Sequence, residues 1–248
     1  MLSAIAIIPS APVMVAELAA SAAMELADLR EAVFAAAASL PSRWIAVGVG
    51  TADAVVGPER AGTFGGYGVD VRVALSPGAG ALGDLPLCAL ITGWLREQVN
   101  PQASAEVRVY SSDLPADAAL DRGRRLRAEI DGAADAVGVL VVADGLNTLT
   151  QRAPGGYDPG SIPVQAALDD ALATGDTAAL ARLPESVVGR VAYQVLAGLE
   201  PERRTAKELY RGAPYGVGYF AGVWLPVGWG HRPPEVQGES EATRGSTQ

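Results

Sequence analysis

Val137–Pro159 reads VGVLVVADGLNTLTQRAPGGYDP. An aliphatic run from Val137 to Val142, broken only by Gly138, passes directly into a polar loop opened by Asp144 and Gly145. Apolar residues at successive positions, rather than at every second one, mark a strand covered on both faces, as in the middle of a parallel sheet. Ligands of open α/β sheets sit just beyond the carboxyl ends of such strands. Asp144, Asn147, Arg152 and Tyr157 therefore fall where a crevice would be lined.

Outward from this stretch the pattern repeats. Residues 3–8 (SAIAII) and 44–50 (WIAVGVG) are short apolar strands, 105–110 contains Val107 and Val109 of another, and 217–224 is a glycine-punctuated aromatic strand. Residues 69–75 (VDVRVAL) alternate apolar with polar, the pattern of a strand with one wet face near a sheet edge. Helical spacing appears at Leu18, Ala22, Leu26, Leu29 and Val33, then over 85–99, 116–130, 164–172 and 187–196, with a short piece at 178–183. Strands alternating with helices require right-handed crossovers. The expected fold is a single α/β domain, residues 1–230, with a central, mostly parallel sheet flanked by helices and a flexible polar tail over 231–248. Residues 57–68 hold five glycines and a proline and read as a loop.

Composition excludes several function classes. A net charge of −9 opposes binding to nucleic acid. The densest basic group, Arg122, Arg124, Arg125 and Arg127, shares its helix with Asp121, Glu129 and Asp131, so a solvated mixed-charge face is favoured over a phosphate site. Cys88 is the single cysteine, set among Leu87, Leu90 and Ile91, and reads as a buried small hydrophobe. No basic residue precedes Arg30, and Pro9 and Pro12 interrupt the apolar start, which predicts no signal peptide, no membrane span and a cytoplasmic protein. His231 is the only histidine and Lys207 the only lysine. Ser-His-Asp and Cys-His catalysis, a two-histidine facial triad and a P-loop are thereby excluded from one chain.

Gly48-Val49-Gly50-Thr51-Ala52-Asp53 follows a strand, but Asp53 stands where a dinucleotide-binding loop needs its third glycine, and a glycine- and proline-rich loop follows instead of a helix. If the sheet is parallel, Ser10, Asp53 and Asp144 all lie on its carboxyl-end side. Asp53 and Asp144 could then hold a hard cation, or each could cap a turn, which is the commoner role. Arg152 and Tyr157 can fold back over the opening, which predicts a pocket for a small anionic or aromatic ligand. The competing role for Arg152 is an ion pair with Asp144 or Asp158. Tyr215, Tyr219, Phe220, Trp224 and Trp229 supply either a homodimer interface or the chain's own core.

Four segments in order carry a family resemblance from Ala4 to about Trp224. They are AIIPSAPVMVAEL (Ala6–Leu18), FGGYGVDVRVAL (Phe64–Leu75), VVADGLNTLTQRAPGGYDP (Val141–Pro159) and APYGVGYFAGVW (Ala213–Trp224). Together they resemble the class III extradiol ring-cleavage dioxygenases of the LigB type, most closely short actinobacterial members. The resemblance implies the same fold and a pocket at the carboxyl ends of the strands. It also implies Fe(II) chemistry through two histidines, a glutamate and a further acid/base histidine. At the matching positions this chain has Ser10, Thr51-Ala52-Asp53, Gly189 or Arg190, and a histidine-free Gly145–Thr148. The expectation is a protein without the iron ligands and without catechol cleavage, binding a small anionic or aromatic molecule in that crevice. The alternatives are a divergent metal-dependent dioxygenase or hydrolase using Asp53 and Asp144, or a metal-free scaffolding protein.

Overall fold

The computed structural model describes residues 1–19, 24–199 and 204–226. The expected tail at 231–248, Trp229, His231 and Ala22 lie outside the described residues. In chain order the strands are β1 (Leu2–Ile8), β2 (Arg43–Gly50), β3 (Ala54–Val56), β4 (Arg60–Thr63), β5 (Arg72–Ala74), β6 (Ala81–Leu82), β7 (Ser104–Ser111), β8 (Val137–Val142), β9 (Arg204–Gly212) and β10 (Tyr219–Pro226). The helices are α1 (Ala16–Ala19), α2 (Ala27–Ala37), α3 (Leu87–Val99), α4 (Ala116–Asp131), α5 (Ser161–Thr174), α6 (Thr177–Leu180) and α7 (Arg190–Leu199).

All six residues of β8 are buried, as its unbroken apolar run demands. It lies between β1 and β2 and pairs with both in parallel. The central sheet runs β3-β7-β2-β8-β1-β10-β9. β3 is antiparallel to β7, and β10 to both β1 and β9, so five of the seven strands share one direction. The fold is therefore a single α/β domain with a mostly parallel sheet. Ala4, Ala6 and Ile8 of β1 share one core with Leu29 and Val33 of α2 and Leu90 and Ile91 of α3. Ile5 and Ile7 face the opposite core, with Leu126 of α4, Leu172 of α5 and Val195 of α7.

The segment 69–75 departs from expectation. Only Arg72–Ala74 is a strand, and it belongs to a separate sheet ordered β5-β4-β6. Its alternation does produce one apolar face, but that face rests on α3, where Val73 meets Gly93. Side chains of α3 complete its edge: Glu97 accepts from the Ala74 N–H at 2.9 Å, and Arg96 donates to the Ala74 carbonyl at 2.8 Å. Packed between two sheets, α3 is buried continuously from Cys88 to Arg96. Arg96 is accommodated inside by donating also to the Pro101 and Ala103 carbonyls. Cys88 is fully buried and its thiol is pushed up to about 12 by burial, which leaves it an inert packing group.

β9 carries no strong apolar signal because it is an edge strand, with Lys207, Glu208 and Arg211 along it. β4 lies within the segment read as a loop, and the expected helix from Leu18 to Val33 is α1 and α2 instead. Tyr219, Phe220 and Trp224 fill the chain's own core, so these three do not supply interface surface.

α4 buries Ala119, Gly123, Leu126 and Ile130 along one face while its arginines and acids face outward. It crosses α7 at very close range: a Cβ on Gly123 would lie 2.7 Å from the Gly198 Cα. Gly→Ala inside an exposed helix ordinarily stabilises by about 0.5–1 kcal/mol. Gly123→Ala is expected to do the reverse, destabilising by roughly 1–3 kcal/mol through overpacking, as read from urea denaturation.

Candidate functional site

β1 and β8 are neighbours whose chains leave toward opposite faces of the sheet. β1 leads to α2 in one core, while β8 leads to α5 and α7 in the other. In open α/β sheets this divergence of adjacent connections is the place where a ligand crevice forms. The first groups past the strands set its chemistry. The Ala143 N–H still bonds the Ile8 carbonyl at 2.9 Å. Pro9 then has no N–H to offer, and the Ser10 N–H donates at 2.8 Å to Oδ1 of Asp144. A carboxylate thus takes the place of the next rung of the ladder.

The main chain around Asp144 is held from several sides. Its carbonyl accepts from the Gly189 N–H at 2.8 Å, and the Gly145 N–H donates to the Gly218 carbonyl at 2.8 Å. Gln165 wedges beneath, accepting from the Leu146 N–H and donating to Asp169, both at 2.8 Å. A Cβ on Gly145 or Gly218 would sit 2.7 or 2.5 Å from the Gln165 amide nitrogen, so both glycines are needed for that approach. Tyr193 is buried in α7 and donates to the Ala143 carbonyl at 2.9 Å.

Burial raises the Asp144 carboxyl to about 7, against the lowering effect of the Ser10 N–H. Burial also raises the Tyr219 and Tyr193 phenols, and the negative charge of Asp144 adds to both shifts. Asp169 rises to about 6 by burial, opposed by the Gln165 bond and by Arg211. The end of β8 therefore carries one carboxyl raised to about 7, near two phenols whose protons are held by burial.

Of the residues expected here, Ser10 and Asp144 are brought together and the others are not. Asp53 accepts from the Ser111 N–H at 2.9 Å and pairs with Arg122 at 2.9 Å, which turns it toward β7 and α4. The two aspartates serve different partners, and Asp53 takes the turn-capping role. Asn147 braces its loop: its carbonyl accepts from the Gly155 N–H at 2.9 Å. Arg152 is exposed and pairs with neither Asp144 nor Asp158, whose oxygens take the Gly160 N–H and the Ser161 hydroxyl. Tyr157 is 44% exposed. The loop bonds to itself, Asp158 N–H to Thr148 carbonyl, and to the turn before β10, Leu149 N–H to Gly216 carbonyl, and so does not fold back over Asp144. Tyr193, Tyr219 and the Gln165–Asp169 pair escaped sequence reading. Gln165 and Asp169, four apart on a largely apolar helix that also carries Asp170, were the signal available.

The positions that the resemblance equates with Fe(II) ligands are engaged in other contacts or lack a side chain. Ser10 presents its N–H to Asp144, Asp53 is engaged with Arg122, and Arg190 donates to Gln194 and to the Ser112 and Leu114 carbonyls. Gly189 has no side chain, and a Cβ there would lie 2.6 Å from that of Ala143. Among the described residues no group of three or more His, Cys, Asp or Glu could hold a metal ion. Among them, too, no helix is long and apolar enough to cross a membrane.

The class that these elements define is α/β with a mostly parallel central sheet flanked by helices. The chain is similar in structure to the uncharacterized protein JW3007 from Escherichia coli K12, with a TM-score of 0.50 and 11% identity over 90% of this chain and 99% of that one. At that identity the likeness speaks for the fold alone. No protein-family model matches the sequence, and no curated protein matches it.

The raised carboxyl makes a prediction with a definite sign. Between its ordinary value of 3.8 and about 7, the folded chain keeps a proton on Asp144 that the unfolded chain has released, so this group's contribution to stability declines as pH rises through that interval. Asp144→Asn keeps the acceptor for Ser10 and removes the titration. It is expected to be more stable than the native chain at mildly alkaline pH, on the order of 2–4 kcal/mol, with the gap closing toward acid. Denaturant midpoints of both chains across that pH range are the measurement.

Proposed function

We propose that this protein binds a small hydroxylated aromatic molecule in the crevice between the ends of β1 and β8, with Asp144 sharing a proton with the ligand's hydroxyl. The observation that carries the reading is the Asp144 carboxyl itself. It sits at the divergence of two parallel strands, holds one hydrogen bond from Ser10, and is raised by burial to about 7. A carboxyl poised there donates to the oxygen of a neutral phenol below that value and accepts from the phenol's hydroxyl above it. The surroundings favour a neutral ring over an anion, because the neighbours of Asp144 are the phenols of Tyr193 and Tyr219, while the exposed Arg152 stands apart.

The resemblance to LigB-type extradiol dioxygenases supports an aromatic ligand. Serine, aspartate, glycine and arginine at the positions of that family's iron ligands support binding without ring cleavage, since imidazoles around Fe(II) are not replaced by such groups. The same carboxyl would suit a divergent hydrolase as a general base, and turnover of a phenyl ester separates that reading from binding alone.

Calorimetric titration with phenol, catechol and protocatechuate tests the proposal. Saturable binding is expected, weakened about tenfold or more in Asp144→Asn, the loss that follows removal of a charge-assisted hydrogen bond. Equal affinity of the two chains would move the ligand elsewhere. Oxygen uptake with catechol after loading with Fe(II) would overturn the non-cleaving assignment.

A further inference from the structure

A separate groove lies at the β3 edge of the central sheet. Between the edge strand β3, the neighbouring β7 and helix α4 there is an open groove of 450 Å³. Arg108 of β7 and Arg122 and Arg125 of α4 line it together with the ring of Tyr110. In a chain of net charge −9, three guanidiniums converge here against two lining carboxylates, Asp53 and Glu129. Those carboxylates, with Glu106 beside them, hold two of the three arginines in place. Arg122 is held by Asp53 at 2.9 Å, and Arg108 by Glu129 at 2.7 Å and by Glu106 at 2.6 Å. Each held guanidinium has five N–H donors and spends only one or two on its partners. Arg125 makes no ion pair or hydrogen bond with the described residues and is exposed.

The remainder of the groove is apolar. Val55 on β3 is 61% exposed at its rim, and Leu126 is buried beneath. Tyr110 is 8% exposed, and its hydroxyl meets no partner among the described residues. Burial raises its phenol while Arg108 and Arg122 lower it, and the net shift upward keeps the proton on that oxygen, where it serves as a donor. Fixed guanidinium donors beside a hydroxyl and an aliphatic wall match an oxyanion carried on a small apolar body.

We infer that this groove binds a small organic anion whose carboxylate or phosphoryl group is taken by Arg122 and Arg125 and whose apolar part lies against Val55 and Leu126. The site is separate from the crevice at Asp144 and does not depend on what binds there. It also gives the arginine-rich face of α4 a role beyond solvation, because strand β7 adds Arg108 and Tyr110 to the same opening.

The test uses the full chain, with phenyl phosphate, benzoate and inorganic phosphate titrated separately by calorimetry. Phenyl phosphate or benzoate is expected to bind saturably, and more tightly than inorganic phosphate, with the stronger of the two organic probes naming the head group. Arg125→Gln, whose side chain is solvated and supports no other group, is expected to fold normally and to weaken that binding by about tenfold or more. Raised salt should weaken it further, while Asp144→Asn should leave it unchanged. Failure of both organic probes to bind, or affinity unaltered in Arg125→Gln, would overturn the inference. Loss of binding in Asp144→Asn would place the anion in the other crevice and overturn it equally.

Discussion

The structure depends on covering β8 from both sides. Six consecutive buried residues leave that strand no wet face, so each side must be sealed by its own helical layer and each edge by a parallel neighbour. α2 and α3 seal one side, and α4, α5 and α7 the other. Polar groups can then appear only where the strand stops. Asp144 is the first ionisable side chain after the run, and it emerges at the margin of a dry interior rather than in water. Its raised carboxyl follows directly from that position, with the Ser10 N–H offsetting only part of the desolvation.

Close backbone approach is the second requirement. α4 and α7 meet through Gly123 and Gly198, and the Gln165 amide enters between Gly145 and Gly218. In both places a side chain would separate elements that must touch, and in the second the separation would detach the loop carrying Asp144 from the stretch that leads into β10. The result is a tightly bonded main chain around Asp144 and an outer loop whose Arg152 and Tyr157 are exposed. Charge is arranged with similar economy. Several exposed acids pair locally with arginines, as Asp121 does with Arg124 and Asp131 with Arg127, while three arginines line the groove beside β3.

The apolar runs at β1, β2, β7 and β8 and the amphipathic faces of α3 and α4 were all readable in the residues, because each buries its own contiguous pattern and burial is a local property of sequence. β9 and β3 were not readable. An edge strand with Lys207, Glu208 and Arg211, or one of three residues such as Ala54–Val56, gains its structure from the neighbour it pairs with. Residues 69–75 show the limit from the other side: the alternation correctly implied one apolar face, but only the position of α3 decided that the face would rest on a helix instead of joining the central sheet.

The same division runs through the sites. The sequence by itself determined that a carboxylate follows the most buried strand, that Ser10 follows its neighbour, and that a single histidine must serve the whole chain. Tertiary structure alone decided that Asp53 turns away to Arg122, that Arg152 stays in solvent, and that Arg108 joins the arginines of α4. Strand burial propagates along neighbouring residues and so leaves a trace in sequence. The direction of a polar side chain is chosen by whichever partner, tens of residues distant, reaches it in the folded chain.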